Sequence, residues 1–112
     1  MAPTLDEALR ASGHARPTEA QRRCWRAALA GRDVLCVAPT GSGKTLAYVL
    51  PYLALRQTEA CASASALVLV PTRELAQQVA AVAKQFRKGC GLRTLALYGG
   101  GREGKDAQLE AL

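Results

Sequence analysis

Residues 41–45 read Gly-Ser-Gly-Lys-Thr, a spacing of residue types suited to holding phosphate groups. Gly41 and Gly43 can take positive φ at little steric cost, which lets successive backbone N–H groups turn toward one centre. Lys44 would reach the outer phosphates, and the Thr45 hydroxyl would ligate Mg²⁺. The whole string is Ala38-Pro39-Thr40-Gly41-Ser42-Gly43-Lys44-Thr45. It fits the pattern G-x-x-x-x-G-K-[ST] at every fixed position except the first, where Ala38 stands for glycine. A glycine turn that merely joins two elements is the plainer alternative, but such a turn has no need of Lys-Thr at its end.

A second candidate lies upstream, at Gln21. Thr18-x-x-Gln21 matches a capping box, in which the Gln side chain satisfies a free backbone N–H at a helix start. A Gln carboxamide offers both a donor and an acceptor, so it also suits an adenine edge. A third candidate is Pro71-Thr72-Arg73, directly after the apolar run Ala66-Leu67-Val68-Leu69-Val70. A fourth is the run of glycines that begins Gly99-Gly100, at the end of another apolar stretch. Glycines there permit close backbone approach to a phosphodiester chain, or they form a plain loop.

The elements that must position these residues follow from patterning. Leu5, Ala8 and Leu9 share one face of a short helix that Ser12-Gly13 ends. Thr18 caps a helix over 19–30, with Trp25 and Leu29 on one face and Gly31 as its stop. Asp33 to Val37 predict a strand into the glycine loop, and the helix after the loop runs to about Arg56, through or kinked at Pro51. The positive end of that helix adds to the field on a bound anion. Residues 57–65 read as a loop. Ala66 to Val70 is predicted to be a strand buried on both faces of a parallel sheet. A helix to about Arg87 carries Leu75, Val79, Val82 and Phe86 on one stripe, and Lys84, Arg87 and Lys88 suit its dipole. Residues 88–91 read as a turn, 92–98 as a third strand, and Gln108 to Leu112 as the start of another helix. The fold class expected is α/β, a mostly parallel sheet flanked by helices, with ligands at the carboxyl ends of the strands.

Composition agrees with this. The chain has 112 residues, 49% of them hydrophobic, and fifteen Lys/Arg against nine Asp/Glu give a net charge of +6. That balance suits polyanion partners. Cys24, Cys36, Cys61 and Cys90 lack zinc-ligand spacing and read as reduced thiols inside a cell. The first twelve residues are not a signal peptide, and no apolar run approaches the roughly 18 residues of a membrane span.

With these motifs in this order, the chain resembles the start of the first RecA-like domain of a DEAD-box ATP-dependent RNA helicase, a P-loop NTPase fold. Residues 13–21 are similar to that family's Q motif, 38–45 to its motif I, 71–76 to motif Ia, and Gly99-Gly100 to its glycine doublet. The resemblance implies that Gln21 bonds the adenine of ATP and that residues 38–45 hold its phosphates and Mg²⁺. It implies that Pro71, Thr72, Arg73, Gly99 and Gly100 meet an RNA sugar–phosphate backbone, independently of sequence. The compartment would be nucleus, nucleolus or cytoplasm. Two positions depart from the family: His14 stands where the Q motif is usually aromatic, and Thr4 where an adenine-stacking aromatic often lies. No Asp-Glu-Ala-Asp string occurs; Glu59, Glu74, Glu103, Asp106 and Glu110 are the acids after the loop, and none ends an apolar run. Residues 1–112 are therefore expected to be the N-terminal part of the helicase ATP-binding domain, inactive alone because phosphoryl transfer needs the missing groups. A non-catalytic nucleotide- or nucleic-acid-binding P-loop module and a RecQ-type DNA helicase fragment are the other readings.

Overall fold

The computed structural model describes residues 5–11, 13–56, 66–86, 93–99, 108 and 110. Its helices are α1 (Leu5–Ala11), α2 (Glu19–Leu29), α3 (Lys44–Arg56) and α4 (Arg73–Phe86). The starts and stops follow local chemistry. The Thr18 hydroxyl accepts from the Gln21 backbone N–H at 3.2 Å, and the Thr18 N–H donates back to Gln21 Oε1 at 2.9 Å. This is the reciprocal capping box expected from the sequence, and it begins α2. The stop is equally local. Gly31 N–H donates to the Ala28 carbonyl and Arg32 N–H to the Ala27 carbonyl, each at 3.0 Å. The crossed pair is a Schellman turn, and it requires the positive φ of 74° that Gly31 takes. The corresponding pair, Gly13 to Arg10 and His14 to Leu9, closes α1.

α3 is the centre of the molecule. Leu46, Ala47, Val49, Leu50, Pro51 and Leu53 are all buried, so nearly the whole circumference of this helix is apolar and covered. It packs against α1, α2 and α4. Leu9 from α1 and Trp25 from α2 join Leu46, Val49, Leu50 and Leu53 in the core, with Val82, Ala83 and Phe86 of α4 against them. The Trp25 indole N–H donates to the Leu46 carbonyl at 3.2 Å, which satisfies the polar edge of a buried ring. Pro51 does not end the helix; α3 continues to Arg56. Leu29, expected beside Trp25, is instead 43% exposed at the last turn of α2.

The segments expected to be strands differ from expectation. Residues 33–37, 66–70 and 93–98 belong to no helix, but among the described residues no strand ladder joins them, and no strand is assigned. Nor is the run 66–70 buried on both faces: Leu67 and Leu69 are 83% and 84% exposed. Leu35 and Val37 are 92% exposed, while Cys36 between them is half-buried. The reason is that an apolar run states a local preference, whereas a ladder and a second covering layer come from distant residues. The helices described cover one face of the 33–37 segment and leave the other bare. The expected loops at 57–65 and 88–91, together with Arg87, Lys88, Gly100, Cys61 and Cys90, lie outside the described residues.

Candidate nucleotide and nucleic-acid site

The glycine loop 38–43 joins segment 33–37 to the N-terminus of α3, and the helix begins after the loop as the sequence predicts. Gly41 and Gly43 take φ values of 83° and 80°. The Ser42 N–H donates to the Pro39 carbonyl at 3.2 Å, which tightens the turn. At the mouth of the loop, Lys44 Nζ donates to the Ala38 carbonyl at 2.6 Å. The ammonium thus spans the loop from last residue to first while staying exposed to solvent. An ammonium has three N–H donors, so others remain for an anion. The Ser42 hydroxyl is buried without a hydrogen-bond partner among the described residues, an uncommon state for a polar side chain.

The loop is held from behind by α2. Gln21 is 2% exposed and donates from Nε2 to the Gly43 carbonyl at 3.2 Å. The Thr18 hydroxyl donates to the Ser42 carbonyl at 2.8 Å. Thr18 and Gln21, which cap α2 by bonding each other, therefore also bind consecutive carbonyls of the loop. These two contacts turn those carbonyls toward α2 and away from the loop's mouth. The bracing role was not visible in the sequence, where Gln21 suggested either a cap or an adenine contact.

Of the second set of predicted residues, Arg73 meets Tyr98, a residue the sequence did not single out as functional. Thr72 caps α4, its hydroxyl accepting from the Leu75 N–H at 3.2 Å. The Arg73 guanidinium lies 5.7 Å from the centre of the Tyr98 ring and 3.8 Å from a Glu74 carboxylate oxygen. Gln77 Nε2 donates to the Tyr98 hydroxyl at 3.1 Å. Gln108 grips the backbone of Tyr98 at both ends: its Oε1 accepts from the Tyr98 N–H and its Nε2 donates to the Tyr98 carbonyl, each at 3.0 Å. Gly99 is exposed immediately after this clamp. The signal that could have found Tyr98 is an aromatic at the end of an apolar run, just before glycines. Pro71, Thr72 and Arg73 are exposed, and a cleft of about 600 Å³ runs from Lys44 and Thr45 past residues 67–70 to Pro71. Of the two sets, Lys44 and Thr45 on one side and Pro71 on the other line this open groove. Among the described residues no cluster of His, Cys, Asp or Glu could hold a metal, and no helix is long and apolar enough to cross a membrane. His14 is exposed.

Comparison with known proteins places this geometry. The DEAD/DEAH box helicase family matches residues 18–112. ATP-dependent RNA helicase DeaD of Escherichia coli K12 is 49% identical over 112 residues, which cover 99% of this chain and 17% of that protein. ATP-dependent RNA helicase dbp10 of Schizosaccharomyces pombe is 46% identical over 98 residues, covering 87% of this chain and 12% of that protein. The chain therefore spans less than a fifth of the length of these relatives. The crystal structure of the RNA-helicase Prp28 from Chaetomium thermophilum bound to ADP superposes with a TM-score of 0.81 at 37% identity, over 96% of this chain and 26% of that one. That neighbour is a RecA-like helicase domain, and the helical frame of this chain follows it. The match takes in the loop braced by Gln21, the lysine at the start of α3 and the Thr72 cap of α4, and the chain belongs to the DEAD/DEAH box helicase family.

Proposed function

We propose that this chain is the part of an ATP-dependent RNA helicase that grips the nucleotide phosphates and one stretch of RNA backbone. The observation that carries the reading is the loop 38–43 with positive φ at Gly41 and Gly43, Lys44 at its mouth and two of its carbonyls tied back by Thr18 and Gln21. An anion at this position meets N–H groups, the positive end of α3 and the Lys44 ammonium together. The buried Ser42 hydroxyl supplies a further donor. These groups fit a triphosphate, with Ala38, Pro39 and Thr40 forming the rim of the loop. Thr45, half-buried at the first turn of α3, fits the Mg²⁺-ligating role. When bound, ATP supplies the phosphoryl group whose transfer powers strand separation in the whole protein. The residues of this chain bind and orient it. Gln21 keeps a second N–H and a second lone pair for an adenine edge after its contacts with Gly43 and Thr18.

Pro71, Thr72, Arg73, Gly99 and Gly100 form the RNA-backbone part of the reading. The cap of α4 presents N–H groups and a hydroxyl, and the Tyr98 ring holds Arg73 at the same edge. Contacts of this kind bind without reading bases, so affinity falls steeply with salt. The segments 33–37, 66–70 and 93–98 act as strands of a parallel sheet, an arrangement favoured by their apolar sequence and bare apolar faces. The protein works inside the cell.

The test is titration of the chain with a fluorescent ATP analogue, beside a Lys44→Ala variant. Saturable, Mg²⁺-dependent binding that the variant loses supports the reading. Equal binding by both would overturn it. Competition by RNA against single-stranded DNA oligomers separates an RNA helicase from a RecQ-type DNA helicase.

A further inference from the structure

Two thiols outside the nucleotide loop line one cleft. Gln21, Cys24 and Trp25 recur at helical spacing, so Cys24 lies on the inner face of α2, where it is 7% exposed. Cys36, in segment 33–37, lies two residues after Val34, lines the same cleft as Val34, and is half-buried. Both border a single open cleft of about 450 Å³ between α2, α3 and that segment. Burial first, and the neighbouring Cys36 side chain after it, push the Cys24 thiol up, and both are free thiols. Neither takes part in the phosphate or backbone contacts described above.

We infer that Cys24 and Cys36 form a reversible disulfide when the chain meets a peroxide, tying α2 to the segment that feeds the glycine loop. The order of attack follows from exposure. Burial, together with the neighbouring Cys36 thiol, holds the Cys24 thiol above its ordinary value, so it is the poorer first nucleophile. Cys36, the more exposed of the pair, attacks a peroxide oxygen as its thiolate. The S–O bond forms, the O–O bond breaks, and the departing hydroxide takes a proton to become water. Cys36 is then a sulfenic acid. The Cys24 sulfur attacks the Cys36 sulfur, the S–O bond breaks, and hydroxide leaves with the Cys24 proton as a second water. In sum, two thiols and hydrogen peroxide give one disulfide and two waters; the sulfurs lose two electrons and the peroxide oxygens gain them. In a reducing compartment such a bond is transient, as redox-sensing disulfides are. Since α2 carries Thr18 and Gln21, and the tethered segment carries the loop they bind, the bond staples the two halves of that brace.

The experiment treats the 112-residue chain with hydrogen peroxide, alkylates it under denaturing conditions and maps the tryptic peptides by mass spectrometry. Trypsin releases Cys24–Arg26 and Asp33–Lys44. The expected result is one linked species of these two peptides, two hydrogens lighter than their sum and separated by dithiothreitol. The same treatment in concentrated urea should remove the preference for this pairing. A Cys24→Ala variant should halt Cys36 at the sulfenic acid, trapped by dimedone. Recovery of both cysteines as alkylated thiols overturns the proposal, as does preferential linkage of either one to Cys61 or Cys90. The mapping leaves Cys24 and Cys36 in place, so its outcome does not depend on the folding of the variant. It also stands apart from the nucleotide reading, because no nucleotide is present.

Discussion

Gln21 Nε2 lies where a side chain at residue 43 would begin: a Cβ built on Gly43 meets it at 2.3 Å. Gly43 is thus fixed twice, by a φ of 80° and by the carboxamide it receives. Gly43→Ala should expel Gln21 from its bond to the loop. The cost is backbone strain of roughly 1–2 kcal/mol, plus a disrupted buried hydrogen bond of about 1–3 kcal/mol. Gly41 takes nearly the same φ, 83°, but a Cβ there meets nothing within 4 Å. Gly41→Ala should therefore cost only the strain. Urea unfolding midpoints of the two variants check the difference, and equal midpoints would remove the special role of the Gln21 contact.

Gln21 makes two bonds that substitution can separate. Gln21→Glu keeps an oxygen for the Thr18 N–H but loses the donor to the Gly43 carbonyl. The start of α2 should survive, and the Thr18 amide should stay protected in hydrogen exchange. The loop loses a tie, and affinity for a nucleotide phosphate group should fall about tenfold, the equivalent of roughly 1.4 kcal/mol. Gln21→Ala should lose both the protection and the affinity.

Gln108 stands in for a neighbouring strand by satisfying both backbone groups of Tyr98. Gln108→Ala should loosen the chain just before Gly99 and destabilise the fold by about 1–2 kcal/mol. RNA affinity should fall with it, as followed by fluorescence anisotropy of a labelled oligomer. Arg73→Ala should weaken binding to all sequences alike and lower the slope of log affinity against log salt by about one. A slope unchanged by that substitution would exclude Arg73 from the phosphate contacts.

Glu19, at the first turn of α2, is hydrogen-bonded by Arg23 at 2.8 Å and by Arg22. The Arg23 hydrogen bond first, and the Arg22 bond and charge after it, hold the Glu19 carboxyl below its usual 4.5. A lowered carboxylate favours the fold above its unfolded value, and that contribution is lost as pH falls through the folded one. Side-chain carboxyl NMR titration should place Glu19 below 4.5, and Arg23→Ala should move it back up toward that value. Because the pair is exposed, added salt should shrink the shift.

The parts legible in the sequence are those set by neighbours along the chain. The capping box of Thr18 and Gln21, the glycine stops of α1 and α2, and the positive φ of Gly41 and Gly43 each follow from a few adjacent residues. What stayed hidden was assembled from distant ones. Nothing local shows that Gln21 reaches Gly43, that the Trp25 indole meets the Leu46 carbonyl, or that Tyr98 collects Arg73, Gln77 and Gln108. The pairing of the three expected strands is non-local for the same reason. An apolar run such as 66–70 declares its backbone preference, but whether Leu67 and Leu69 are covered depends on what lies across from them.

Trp25 is the chain's only tryptophan, and it sits where α2 meets α3, with its indole N–H on the residue two past Lys44. Its emission therefore has a single origin. A red shift on denaturation would report the separation of exactly one interface, the one between the helix that braces the loop and the helix that starts from it. The molecule carries its own optical gauge for the contact on which phosphate capture rests.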